Sequence, residues 1–202
     1  KWTGVIPEGF TLHNYVDLFT DSNFLASVGR SIAMCIIPII VTIVIVLLAL
    51  FVTAIYFPKL EKYVQIICMI PYTIQCVILS VSILSLYVGS SSILSNRLVM
   101  LMGAYCIVIL PYIYQGIRNG MRAVNMPTLI EAAEMLGASK IYAFFRVVVP
   151  NILSAIIVSS LLAVGIIFGD YVLIRNLAGT SAPNMQIFLY QTCLLYTSPS
   201  PR

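Results

Sequence analysis

Charge is what this chain has least of: Asp, Glu, Lys and Arg make up 9% of its 202 residues. Soluble domains carry about 25%, so there is too little charge to cover a water-facing surface. Disorder is excluded as well, because it requires low hydrophobicity and high net charge. The formal net charge of +4 is thinly spread and contains no basic run, which excludes a nucleic-acid surface. Histidine occurs once, at His13, and one ring does not make a metal site. The five cysteines (Cys35, Cys68, Cys76, Cys106 and Cys193) have no CxxC spacing, and the first four lie in apolar runs. They read as small packing residues and not as a disulfide or metal framework. No Ser/His/Asp, Cys/His or paired-carboxylate set converges on a catalytic site, and there is no internal repeat or low-complexity tract.

What is present is apolar: 60% of the residues are hydrophobic and the mean hydropathy is +1.02. The class this leaves is an all-α, polytopic membrane protein. A bilayer core of about 30 Å takes about 20 apolar residues of helix. Residues 31–57, 63–88, 98–117 and 152–174 meet that test, the last interrupted only by Asp170. A further apolar run starts at Met185. The chain reads as one transmembrane domain over residues 1–192. Lys1 is not an initiator methionine, and no signal-peptide pattern follows it. The end, from Cys193 to Arg202, resembles translated sequencing-adapter sequence. Residues 193–202 are therefore expected to be a non-native tail, and the chain a piece of a longer protein.

Basic residues set an orientation, since cytoplasmic loops are enriched in Lys and Arg. Four alternating spans put Lys59, Lys62, Arg118, Arg122, Lys140 and Arg146 on one side. The other side holds Lys1, Arg30, Arg97 and Arg175, so residues 118–150 are expected in the cytoplasm and residues 1–23 outside. Pro38, Pro71 and Pro111 each fall in a span, where proline removes a backbone bond and kinks the helix. Gly165 and Gly169 form a small-xxx-small pair, expected to admit a neighbouring helix.

Residues 118–150 carry most of the information. Pro127 precedes Thr128, and Thr128 with Glu131 has capping-box spacing, so a helix is expected to open there. Ala132, Ala133, Met135 and Leu136 continue it, and Gly137 supplies a left-handed residue to close it. Ser139 is an N-cap for a second helix, expected to run from Lys140 towards Val148 and to stop before Pro150. Leu129, Ile130, Met135, Leu136, Phe144 and Phe145 are apolar for an extramembrane loop, and need burial against the bilayer, the bundle or a partner.

The run Glu131-Ala132-Ala133-x3-Gly137-Ala138-Ser139, followed by Phe144 or Phe145, Val147 and Pro150, resembles the EAA loop of ABC importer permeases of the type I, MetI-like (methionine-permease-like) family. The one departure is Val149, where that pattern has leucine. The approach, Leu110-Pro111-Tyr112, Arg118 and Met126-Pro127, is similar too. The resemblance implies that Glu131, Ala132, Ala133, Gly137, Ala138, Ser139 and Pro150 belong to a loop docking on a cytoplasmic ABC ATPase dimer. It also implies a second permease subunit, a periplasmic or lipid-anchored binding protein, location in the bacterial plasma (inner) membrane, and one more span before and after those present. ATP would be bound by the partner. This chain has no G-x-x-x-x-G-K-[ST] phosphate loop, and no cofactor or metal is expected on it. The stretches Phe168–Ile174, Asn176–Gly179 and Met185–Tyr190 look like permeases for polyamines, ferric iron or phosphonates, with sugar permeases less similar.

Candidate path residues are Asp170, the one acid inside a span, together with Tyr72, Gln75 and Gln115. Asp170 lies near the outer end of its span and equally suits a capping role. Ser82 is a further polar candidate, although back-bonding to its own helix is the commoner role of a serine. A secondary transporter would need coupling-ion groups near the midplane and usually inverted repeats. A membrane-embedded enzyme would need a cluster of ionisable groups within the spans. Neither is present in the sequence.

Overall fold

The computed structural model describes residue 20 and residues 22–87, 96–179 and 185–197. His13, nearly all of the 1–23 segment and residues 198–202 lie outside the described residues. Among those described, the regular elements are all helical. They are α1 (Ser22–Ile55), α2 (Glu61–Met69), α3 (Cys76–Tyr87), α4 (Arg97–Ala123), α5 (Met126–Met135), α6 (Lys140–Ala143), α7 (Val149–Asn151), α8 (Leu153–Gly169), α9 (Val172–Leu177) and α10 (Met185–Thr197). Two 3₁₀ segments, Pro58–Leu60 and Ile70–Thr73, flank α2, and a π-helical segment, Phe144–Val148, joins α6 to α7.

Helix α1 has 34 residues, about 50 Å at 1.5 Å per residue. It continues through Pro38 without a break. Ile32, Ile36, Ile40, Val44, Leu48 and Val52 recur every fourth residue and are exposed, while Cys35, Ile39, Thr42, Val46 and Leu50 on the other side are buried. An uncharged stripe this long, left open on one face, suits lipid and not water. Helix α4 is the centre of the bundle. Leu101, Ala104, Tyr105, Ile109, Ile113, Tyr114 and Ile117 are almost completely buried, between α1 on one side and α8 on the other. It too continues past its proline, Pro111.

Close approach of α4 and α8 is made by small residues. A Cβ on Gly116 would lie 2.5 Å from Ser159 Cβ, and one on Gly120 would lie 2.5 Å from Ala155 Cβ. In lipid, where helices gain nothing from excluding water, such backbone proximity is a main source of association. The pair expected to play this role, Gly165 and Gly169, does not: nothing lies within 4 Å of either Cβ position. The buried side of α8 runs through Ser159, Ala163 and Ile167. Gly165 is two positions on from Ala163, about 200° round the helix.

Helices α1 and α4 are each long and apolar enough to cross a membrane, and each of two bent pairs makes a further span if it is taken as one. The expected 63–88 span is one of these. Its halves, Pro58–Thr73 and Cys76–Leu86, meet at 98°. Pro71 is the second residue of the 3₁₀ segment, Ile74 is extended (φ −92°, ψ 120°), and Thr73 Oγ1 donates to the Ile70 carbonyl at 2.8 Å. Proline alone does not explain the break, since Pro38 and Pro111 leave their helices whole. At Pro71 the helix instead passes through a 3₁₀ segment into extended Ile74, which neither Pro38 nor Pro111 does. The expected 152–174 span stops at Gly169, where Asp170 turns extended (φ −81°, ψ 118°) and α9 begins afresh.

The expected 98–117 span also changes at its end, because α4 runs on to Ala123, past Arg118. Arg118 does not terminate the helix; its side chain folds back onto Glu61. At the far end, Asn176 Nδ2 donates to Ser80 Oγ at 2.8 Å, joining α9 to α3. Met185 N donates to Ser31 Oγ at 3.0 Å, joining α10 to α1. Cys35, Cys68, Cys76 and Cys106 are free thiols.

Candidate functional site

The segment that follows α4 folds as a compact helical unit, residues 126–151. Its entry is Asn125, in the left-handed region at φ 51°, ψ 58°, a conformation that asparagine tolerates better than most residues. Helix α5 then opens at Met126 with Pro127 in its first turn, where a missing N–H costs nothing. The capping box expected from Thr128 and Glu131 is not formed. Pro127 has already started the helix, so Thr128 lies within the first turn, and no side chain caps it.

The exit follows the stereochemistry closely. Gly137 has φ +85°. Its N–H donates to Glu134 O at 2.9 Å, and Ala138 N–H donates to Ala133 O at 3.0 Å. These two bonds make a Schellman motif. Ser139 Oγ then accepts from Tyr142 N at 3.3 Å, capping α6 as its position suggests. Lys140 Nζ reaches back to Glu134 Oε1 at 3.8 Å.

Past α6 the chain does not stop before Pro150, as expected; it widens. In the π-helical turn Val149 N–H donates to Phe144 O, and the helical path continues through Pro150 to Asn151. Asn151 Nδ2 donates to Val147 O at 2.8 Å and satisfies a carbonyl next to the proline disruption. The bend of 64° into α8 falls after Asn151. Phe144 is fully buried and contacts Phe51 near the end of α1, with ring centroids 4.9 Å apart. Phe145 lies on the same ring at 6.0 Å and is partly open. Ala133 is buried in the same apolar cluster as Ala143 and Val148.

Glu131 and Ala132 face solvent, as do Gly137, Ser139 and Pro150, and Ala138 is half-buried. Of the apolar residues in this segment, Ile130 and Phe144 are covered by the chain itself. Met135 and Leu136 are 89% and 90% exposed at the tip of the turn.

A groove of about 850 Å³ runs between the α2 end of the bent pair, α4 and α8. Its walls include Tyr72, Tyr112, Gln115, Asn119, Ser154 and Val158. Tyr72 and Tyr112 touch across it, with centroids 5.7 Å apart. The groove brings Tyr72 and Gln115 together but leaves out Gln75 and Asp170. Gln75 is exposed at the bend. Asp170 Oδ2 accepts from Leu173 N at 3.1 Å and from the Tyr105 hydroxyl at 3.3 Å, so it caps the start of α9 and ties it to α4. Ser82 Oγ donates to its own helix at Ile78 O, 2.8 Å away. Among the described residues, no group of three or more His, Cys, Asp or Glu is arranged to hold a metal.

One pair was not foreseen. Glu61 Oε1 accepts from Arg118 Nε at 3.0 Å and Nη2 at 2.7 Å, and lies 3.7 Å from Arg122 Nη2. The available signal was that Glu61 is the one acid between Asp21 and Glu131.

Fold and surface together define a helical membrane protein with a structured unit between two of its apolar helices. Residues 46–194 match the family described as the binding-protein-dependent transport system inner membrane component, and the chain belongs to that family. It is thus a membrane permease component of the ABC transport class, and not an enzyme. No curated protein matches it.

Proposed function

We propose that the chain is the multi-pass permease subunit of an ATP-driven importer in the bacterial plasma membrane, with residues 118–150 on the cytoplasmic face. The observation that carries this reading is the 126–151 unit, whose fold is closed by its own caps while Met135 and Leu136 remain almost bare at its tip. Glu131, Ala132, Met135 and Leu136 offer a small, mostly apolar surface with a charge at its edge, suited to a groove on an ATPase subunit. The Phe144–Phe51 contact gives the unit a firm hold on the bundle. ATP binds to the partner ATPase dimer, and this chain holds no cofactor of its own.

Movement of the docked units would shift the spans as rigid bodies between inward and outward access. The groove walled by Tyr72 and Gln115 is only partly enclosed, which favours completion of the path by a second permease subunit, identical or homologous. An external binding protein delivers the solute, a small molecule of the polyamine, ferric-iron or phosphonate kind. Proteoliposomes holding the whole complex and its binding protein should take up labelled solute of one of these kinds only when ATP is inside. Uptake driven by an ion gradient without ATP would overturn the importer reading, and sugar uptake would overturn the solute class.

A further inference from the structure

We propose that Glu61 and Arg118 form a positioning pair, which holds α2 as a movable wall of the groove and passes movement of the 126–151 unit to it. This rests on the importer reading above.

Helix α2 is otherwise held by Cys68, Val64 and Met69, which pack against the core. Only Cys68 in it is buried, while Lys62, Tyr63, Ile66 and Ile67 are exposed. Its two ends are both tethered to α4. At the first residue, the Arg118 guanidinium puts two nitrogens on one oxygen of Glu61; just past the far end, in the following 3₁₀ segment, the Tyr72 ring meets Tyr112. The groove lies alongside, lined by Met69 and Tyr72 from this segment and by Gln115 and Asn119, which flank Arg118 on α4.

The Arg118 side chain is only 11% exposed and that of Glu61 38% exposed. A charge so far removed from water needs its partner. Among the described acids, Glu134 pairs with Lys140, Glu131 faces solvent and Asp170 caps α9. Glu61 is therefore the carboxylate that serves Arg118, with Arg122 at the margin.

The same pair lies at the root of the 126–151 unit. Beyond Arg118 and Arg122, α4 ends and the chain turns at Asn125 into α5. A cavity of about 480 Å³ there is bordered by Glu61, Arg118, Arg122, Asn125, Met126 and Pro127. Open space at this point lets the last turns of α4 shift without a clash, and the ion pair obliges α2 to follow.

The test uses the complete transporter in proteoliposomes, with uptake and ATP hydrolysis measured separately and assembly checked by size exclusion. Glu61→Gln should assemble and hydrolyse ATP, yet its uptake per ATP should fall by at least about fivefold, the low end of a typical coupling between sites. Arg118→Lys, which keeps the charge but not the planar fork, should fall between that variant and wild type. The exchange Glu61→Arg with Arg118→Glu should recover part of the loss. Should Glu61→Gln fail to assemble, the exchange variant decides: assembly with coupling supports the pair, and assembly without coupling overturns it. Wild-type uptake per ATP in Glu61→Gln also overturns it. Wild-type vesicles that take up nothing would sink the importer reading itself, a distinct result.

Discussion

Gly137 holds φ +85° at the end of α5, and both bonds of the Schellman motif depend on that conformation. An L side chain forced into the left-handed region costs roughly 1–2 kcal/mol, most for a β-branched one and least for asparagine. Nothing lies within 4 Å of its Cβ position, so the penalty is one of backbone and not of crowding. Gly137→Val should therefore cut ATP-driven uptake by several-fold, while Gly137→Asn keeps most of it. Equal activity of the two variants would separate transport from the turn. Gly137 and Ser139 were legible in the sequence because turn and cap chemistry is local. Glu61–Arg118 was not, because 57 residues separate the partners and a lone acid between two lysines reads as an ordinary loop charge. Thr128 misled for a related reason: a capping box is a local pattern, but Pro127 one residue earlier set the start of the helix first.

Between helices, the same local patterns gave different outcomes. Three prolines fall within expected spans, yet only Pro71 lies at a sharp bend, beside the Thr73 hydroxyl that bonds a carbonyl. Two glycine pairs share the four-residue spacing, yet Gly116 and Gly120 meet a helix while Gly165 and Gly169 meet none. Which pair packs depends on how α8 is rotated, and that is settled by its buried row of Ser159, Ala163 and Ile167 rather than by the spacing. Gly116→Ala puts a methyl 2.5 Å from Ser159 Cβ, overpacking expected to cost about 1–3 kcal/mol. The thermal midpoint of the detergent-solubilised protein should fall, and adding Ser159→Gly should restore much of it. A midpoint unchanged by Gly116→Ala would mean that α4 and α8 are not in close contact in the membrane.

At the scale of the whole molecule, the all-α class was readable from composition and charge gaps alone, because lipid imposes one simple rule on long apolar runs. Where the apolar helices break was not readable, since a break needs partners from other parts of the chain. The exposed apolar stripe of α1 suits lipid, and the groove between α2, α4 and α8 is, on the proposed reading, completed by another subunit. The bare tip of the 126–151 unit is a different kind of surface, small, capped and exposed, on a unit held to the bundle through Phe144. The account turns on that tip being a docking element for an ATPase. The direct measurement is co-purification of the permease with its ATPase from membranes, comparing wild type with Glu131→Lys, an exposed position on α5. The account predicts that wild type retains the ATPase and that Glu131→Lys, with its permease recovered in equal amount, loses most of it. Equal retention by both would contradict docking through this surface, and no ATPase with either would contradict the importer reading as a whole.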